Sequence, residues 1–416
     1  MARVVVIGAG VGGCSAAITA AQAGVEVILL ERSDTVSGIG PWTGQLMTWA
    51  LRQEVKLTGG GAGQIVSLME SLAVHEMEEF GVPRGNISFD VAPLPQGMEK
   101  LVTAAGVKLM LRSRVVDVEM EGHRMAAVAL ADGRRIQGDV FVDATGKGGG
   151  WDVCQKYGQG CVLCILKCPT FGDRVAISER AGIPDEEVPG RVYFSCYMIY
   201  PGSLSPLVQQ KVMETPGGYS YHPIPGTLME HDFTSDWLNP QRPVTTRLTQ
   251  DEFQVCHVGW AKTWLNIPLP YLRQVPGLED AWLLTPLSAQ GQTVQLNGSA
   301  PHDDSLQVSG IDNLFAAGLR SGRYSAFVEV MYTGDLAGHN AARYALGLKN
   351  LQLPQSTMMG FFTGVIKHGR CPTEWPPGPG VDPRFKERGF DTQDYATIQG
   401  RIQNAGLMGI YERRLT

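Results

Sequence analysis

The sequence predicts an α/β fold: a parallel sheet of Rossmann type whose domain is discontinuous, with a second domain inserted between its two parts. Three stretches predict it. The chain opens on the β-branched run Val4-Val5-Val6-Ile7, which leads directly into Gly8-Ala9-Gly10-Val11-Gly12-Gly13, a G-x-G-x-x-G turn. Val140 to Ala144 reads as a buried strand closed by Thr145-Gly146. Asn313-Leu314-Phe315-Ala316-Ala317-Gly318 reads as a late strand, with a long helical stretch from Ala326 to Leu346 behind it.

Taken in order, the first element is the Val4–Ile7 strand and the second the Ala-rich helix that contains Ser15 to Ala23. Gly24 ends that helix, Val25 to Leu30 forms the next strand, and Glu31 closes it. Strand, glycine turn, helix, strand and acid is the order a dinucleotide-binding βαβ unit requires. Gly8 permits the tight turn. Gly10 lets the backbone approach a pyrophosphate, and Gly13 lets the helix lie close to the strand. The pyrophosphate would sit on the N–H groups of the helix N-terminus. Glu31 would accept hydrogen bonds from the adenosine ribose, with Arg32 beside it in the same cofactor set.

The βαβ unit alone does not separate FAD from NAD. Gly106 to Gly146 reads as a strand, a hairpin around Asp132-Gly133 and the buried strand ending at Ala144. This stretch resembles the corresponding part of FAD-dependent oxidoreductases of the glutathione-reductase superfamily. The resemblance implies that the strand containing Val115 lies by the adenine and that the Ala144-Thr145-Gly146 turn lies by FAD. It also implies that Gly318 and the helix opening at Ala326 return to the flavin. A helix N-terminus there would stabilise negative charge on reduced flavin. The fold implied is a FAD-binding Rossmann-type, glutathione-reductase-like domain with an inserted substrate domain.

A further resemblance covers the second half. Val258 to Gly277, Asn313 to Arg343 and Leu353 to Ile366 look like the glucose-inhibited division protein A family. They look most like its folate- and FAD-dependent tRNA uracil-5-methyltransferase branch. The segments carrying that likeness are Ala326-Phe327-Val328-Glu329 on the late helix and Pro354 to Thr357 near the C-terminus. From Trp151 to Gln254, the stretch that should set substrate choice, the likeness is loose, so it implies fold and cofactor rather than substrate.

Composition bounds the rest. With 44% hydrophobic and 18% charged residues over 416 positions, the chain suits two or three globular domains with a large core. Its net charge of −6 and the absence of a basic run give no electrostatic reason to expect nucleic acid. A small-molecule substrate is therefore expected, with an electron donor or acceptor that the sequence does not identify. No run of apolar residues is long enough for a membrane span. The opening apolar run enters the glycine motif directly, which is not the pattern of a signal peptide, so a cytoplasmic protein is expected.

The FAD-binding domain is expected over 1–150 and 307–350, the substrate domain over 151–306 and a C-terminal segment over 351–416. Within the first, the glycine-rich stretch from Ser33 to Gly63 is expected to wrap the flavin as a loop, and Ile65 to Phe80 to form an amphipathic helix ended by Gly81 and Pro83. After Asn350, helices are expected within Leu353–Lys367 and Thr392–Gln403, separated by an extended Pro/Gly-rich arm over Pro372–Pro383.

Cys154, Cys161, Cys164 and Cys168 form a C-x6-C-x2-C-x3-C-P run directly after the Thr145-Gly146 turn. Four thiolates so close can converge on a [4Fe-4S] cluster or a zinc ion. Cys161 and Cys164 could instead be a redox dithiol, and the apolar residues between them equally fit buried, inert thiols. Tyr219, Tyr221, His222, His231 and His257 are candidate proton donors or structural polar groups. Trp260 and Trp264 read as core rather than a base-stacking platform, Glu329 as a flavin neighbour or a cap, and Arg320 and Arg323 as loop cations for an anion or for solvent. The expected function is an FAD-dependent oxidoreductase moving hydride between flavin and a small molecule. One alternative is a folate- and FAD-dependent tRNA (uracil-5-)methyltransferase-like enzyme; another is a non-catalytic flavoprotein that only binds partners.

Overall fold

The structure is a computed structural model. It describes residues 2–38, 44–76, 78, 85–146, 175–187, 195–199, 201–214, 219–223, 225–229, 252–256, 260–263, 270, 273–285, 298–322, 324, 326–367 and 383–416. The chain forms two units. The first comprises Met1–Gly149, Arg174–Pro189 and Asn297–Thr416, and the second Gly150–Asp173 and Gly190–Leu296.

The first unit is built on a five-stranded parallel sheet. β1 (Arg3–Ile7) leads through the glycine turn into α1 (Val11–Gln22) and on to β2 (Glu26–Leu30). The spatial order is Leu314–Ala316, Val140–Asp143, β1, β2, Lys108–Met110, with every neighbour parallel. β1 lies in the middle and both its faces are covered, so Val4, Val5 and Val6 are all buried and read as a continuous apolar run rather than an alternating one. Residues 115–137 form a separate antiparallel sheet of three strands, Val115–Glu121, Arg124–Leu130 and Arg135–Gln137. The expected turn at Asp132-Gly133 joins the second and third; Gly122-His123 makes another, joining the first and second.

Two expectations change here. The stretch from Ser33 to Gly63 is not one long loop: it includes a helix over Trp49–Thr58 and the start of a helix over Gly60–Ser71. The helix expected over Ile65–Phe80 therefore begins five residues earlier and stops at Ser71, and Ala73–Glu76 pairs as a strand with Ile87–Phe89. Glycine propensity lost to packing. A Cβ at Gly61 would lie 2.5 Å from the Ser15 carbonyl oxygen of α1, so glycine lets the two helices touch.

The late helix runs over Phe327–Ala345 and packs parallel and close against α1. Cβ atoms at Gly334 and Gly338 would each lie 2.1 Å from a carbonyl oxygen of α1, those of Gly12 and Ala16. Helices over Met358–Lys367 and Tyr395–Asn404 follow. Buried Glu54 fastens this end of the chain to the Trp49–Thr58 helix. It accepts from the Met358 and Met359 N–H groups at 3.0 and 3.2 Å and pairs with Arg401 at 3.3 Å. The extended arm expected over Pro372–Pro383 lies almost wholly outside the described residues.

The second unit contains a five-stranded antiparallel sheet in the order Tyr219–Pro223, Glu252–Cys256, Trp260–Thr263, Ser195–Ile199, Leu283–Thr285. Trp260 thus opens a strand, and Tyr219, Tyr221 and His222 lie on another. His231, His257, Trp264 and Arg323 lie outside the described residues, as do Cys154, Cys161, Cys164 and Cys168.

Candidate nucleotide-binding crevice

The glycine turn, the Ala144-Thr145-Gly146 turn and Gly318 converge at the carboxyl ends of β1, the Val140–Asp143 strand and the Leu314–Ala316 strand. Gly8 sits at φ +101°, a region that side chains avoid, and a Cβ there would lie 2.5 Å from the Ala144 carbonyl oxygen. A Cβ on Gly12 would lie 3.4 Å from the Gly318 Cα. A crevice outside the carboxyl ends of parallel strands is where ligands bind in open α/β sheets.

Gly10 and Gly13 differ in what surrounds them. A Cβ at Gly13 would lie 1.8 Å from the Gly8 carbonyl oxygen, so helix and turn are in backbone contact there. A Cβ at Gly10 would meet only the Gly38 Cα, at 3.9 Å, among the described residues. Gly10 is the N-cap of α1, has no side chain to cap the helix, and is followed by no acidic residue in the first turn. The first N–H groups of a helix have no intrahelical acceptor. An uncapped helix start suits the phosphates of a dinucleotide.

Glu31, at the end of β2, is buried. Its Oε2 accepts from the Ala9 N–H at 2.8 Å, and its Oε1 accepts from the Ser33 N–H and hydroxyl, both at 2.8 Å. A carboxylate has about four acceptor positions, so one stays open to a ribose hydroxyl. Arg32 beside it is exposed. The Arg112 and Ser113 N–H groups bond to the Ser33 and Glu31 carbonyls, at 2.8 and 2.7 Å, which brings the strand opening at buried Val115 in beside Glu31.

The late helix starts close by. Ala326 is its N-cap, and its N–H donates to Glu329 Oε2 at 2.5 Å. Buried Glu329 is therefore a cap of this helix. Upstream, Ser321 and Tyr324 share a hydroxyl hydrogen bond of 2.8 Å, and burial holds the Tyr324 phenol above its ordinary range.

Arg320 corrects the reading of a loop cation. It is 1% exposed and bonds Asp143 at 3.1 Å, Asp185 at 2.8 and 2.5 Å, and the Ser178 hydroxyl at 2.8 Å. Burial works against its charge, but Asp143 and then Asp185 outweigh that and hold its pKa above the ordinary value. Local sequence carries no sign of this, because the three partners come from distant parts of the chain.

Sequence reasoning also missed the buried polar residues of the late helix. Asp335 accepts from the Ser15 and Thr19 hydroxyls, both at 2.6 Å, and from the Ala62 N–H at 3.0 Å, joining three helices. Burial pushes its carboxyl up to about 7 despite those bonds. His339, one turn on, is pushed down to about 4, by burial and then by Arg343. Its ring packs edge-on against Tyr411, with centroids 5.2 Å apart. Among the described residues no cluster of His, Cys, Asp or Glu could hold a metal ion, and no helix is long and apolar enough to cross a membrane.

A family model of FAD dependent oxidoreductases matches residues 3–155, and one of glucose inhibited division protein A (GidA) matches residues 261–349. A methylenetetrahydrofolate–tRNA-(uracil-5-)-methyltransferase, TrmFO, of Prochlorococcus marinus is 33% identical over 100 residues, 24% of this chain and 21% of its own. The FAD-dependent monooxygenase atnJ of Arthrinium sp is 29% identical over 162 residues, 35% of this chain and 36% of its own. The chain thus covers well under half the length of either curated relative. GidA of Aquifex aeolicus shares the fold, with a TM-score of 0.52 at 12% identity over 97% of this chain and 76% of that one.

Proposed function

Since this chain is a GidA/TrmFO-like member of the FAD-dependent proteins, we propose that it is a flavin oxidoreductase. In this reading it moves hydride between bound FAD and a small-molecule substrate. The observation that carries the reading is the uncapped start of α1 at Gly10, where a Cβ would meet only the Gly38 Cα among the described residues, next to the Ala9 N–H that Glu31 holds. The α1 N–H groups would hold the pyrophosphate, and Glu31 would accept from the ribose hydroxyls. Val115 would flank the adenine, with Arg32 at the rim. Ala144, Gly146, Gly318 and Ala326 would line the path to the flavin. FAD, when bound, supplies the hydride chemistry. The protein's part is to orient it: the N-terminus of the late helix would favour negative charge nearby, in opposition to the Glu329 carboxylate in its first turn.

A second reading is favoured by the TrmFO relatives and by the GidA match over 261–349: a folate-dependent methyltransferase acting on tRNA. The net charge of −6 weighs against it, because polyanion affinity comes largely from counterion release at clustered cations. A filter-binding titration with bulk tRNA at low salt separates the two. The small-molecule reading expects no sub-micromolar, salt-sensitive binding. Such binding, with methyl transfer from methylenetetrahydrofolate to uridine, would replace it with the second.

A further inference from the structure

The chain passes between its two units at four places: 149/150, 173/174, 189/190 and 296/297. Beside the first three, within the first unit, groups bond to one buried ion pair, Asp143–Arg320; beside the fourth, groups bond to the backbone of Arg320 and Ser321. Ahead of the first passage, Asp143 Oδ1 accepts from the Thr145 N–H at 3.1 Å and from its hydroxyl at 2.6 Å. Behind the second, the Ile177 N–H donates to Asp143 Oδ2 at 3.0 Å, and the Ser178 hydroxyl accepts from Arg320 at 2.8 Å. Ahead of the third, Asp185 accepts from both Nη atoms of Arg320. Behind the fourth, the Ala300 N–H donates to the Arg320 carbonyl at 2.9 Å, and His302 Nε2 lies 2.9 Å from the Ser321 carbonyl oxygen.

Stability is a poor reason for this arrangement. Taking a guanidinium and two carboxylates out of water consumes most of what their attraction returns, and an apolar cluster of the same volume would hold as well. What the guanidinium adds is direction: a rigid fork of donors with fixed angles between its partners. Its Nε points to the strand that ends in the Thr145–Gly146 turn, and its Nη atoms point to the returning segment.

We propose that Arg320 is a positioning residue for the bound flavin: through Asp143 it fixes the Thr145–Gly146 turn at the crevice, and it ties to that turn the segments by which the chain leaves and re-enters this unit. The proposal rests on the FAD reading above. Arg320 itself touches no substrate or cofactor in it.

The test reconstitutes the full chain with FAD and compares Arg320→Gln, Asp143→Asn and Asp185→Asn by melting temperature, visible circular dichroism of the flavin and flavin midpoint potential. Arg320→Gln and Asp143→Asn are expected to weaken FAD uptake at least tenfold and to alter the flavin dichroism and potential of the folded fraction. Arg320→Lys is expected not to rescue, because a single ammonium cannot reproduce the fork. Asp185→Asn also removes a buried partner of Arg320 but does not touch Asp143, so it lowers the melting temperature and leaves the flavin signals as in the parent. Where Arg320→Gln does not fold, Thr145→Val replaces it: it deletes only the hydroxyl bond to Asp143 and is expected to move the dichroism in the same direction. Folded Arg320→Gln, or its replacement, with parental flavin signals overturns the proposal. Equal changes from Asp185→Asn overturn it too, since the effect is then one of general destabilisation. A parent chain that takes up no FAD removes the underlying reading instead, which distinguishes the two failures.

Discussion

Within the opening fingerprint, glycines three residues apart do separate work. At Gly13 a side chain would collide with the Gly8 backbone, at 1.8 Å, whereas at Gly10 a Cβ would make only an ordinary contact with the Gly38 Cα, at 3.9 Å, among the described residues. Gly13→Ala is therefore expected to cost on the order of 3 kcal/mol of folding stability or more, since backbone must move to admit it. Gly10→Val is expected to cost about 1 kcal/mol at the helix start and to abolish FAD uptake. Thermal melts with and without added FAD check the pair; a Gly10→Val chain that melts as the parent does and still takes up FAD would contradict this division of roles. These glycines were legible in the sequence because turn and spacing are local. Arg320 was not, because its three partners lie 135 or more residues away. Nothing local distinguishes a buried cation from a solvated one.

At the scale of the element, the late helix carries two buried groups whose titrations oppose each other. The Asp335 carboxyl, ordinarily near 3.8, is pushed up to about 7, so the folded chain keeps a proton that the unfolded chain releases. Its contribution to stability is full below its unfolded pKa and is lost as pH rises through about 7. His339 is pushed down from 6.5 to about 4, so the unfolded chain takes up a proton that the folded chain refuses. Its contribution is full above pH 6.5 and is lost as pH falls through about 4. Between those limits the two slopes offset. Asp335→Asn is expected to unmask the histidine, so that stability rises with pH relative to the parent. His339→Leu is expected to unmask the aspartate, so that stability falls with pH, each by about 2 kcal/mol or more across the window. Urea midpoints from pH 4 to 7.5 measure both. Glu54, also raised by burial, is common to parent and variants and drops out of the difference. A difference between parent and variant that stays flat with pH would contradict the assignment. The late helix itself was legible from its composition, but the helix over Gly60–Ser71 was not, because glycines that make a close helix contact look in sequence like those of a loop.

At the scale of the molecule, the parallel sheet and its order of elements followed from three short motifs, since each ends at the same edge of one sheet. The second unit carried no comparable motif, and its antiparallel strands were not legible. Its side-chain chemistry is also where substrate choice should lie, so the small-molecule reading rests on charge rather than on a recognised site. The central claim is that the glycine crevice of the first unit binds FAD. The measurement that tests it most directly is the identity and amount of nucleotide released by heat from the purified chain after reconstitution with FAD, separated by chromatography, alongside Gly10→Val. The account predicts about one FAD per parent chain, as a single crevice requires, and none from Gly10→Val. Release of NAD, no flavin from the parent, or equal flavin from both would contradict it.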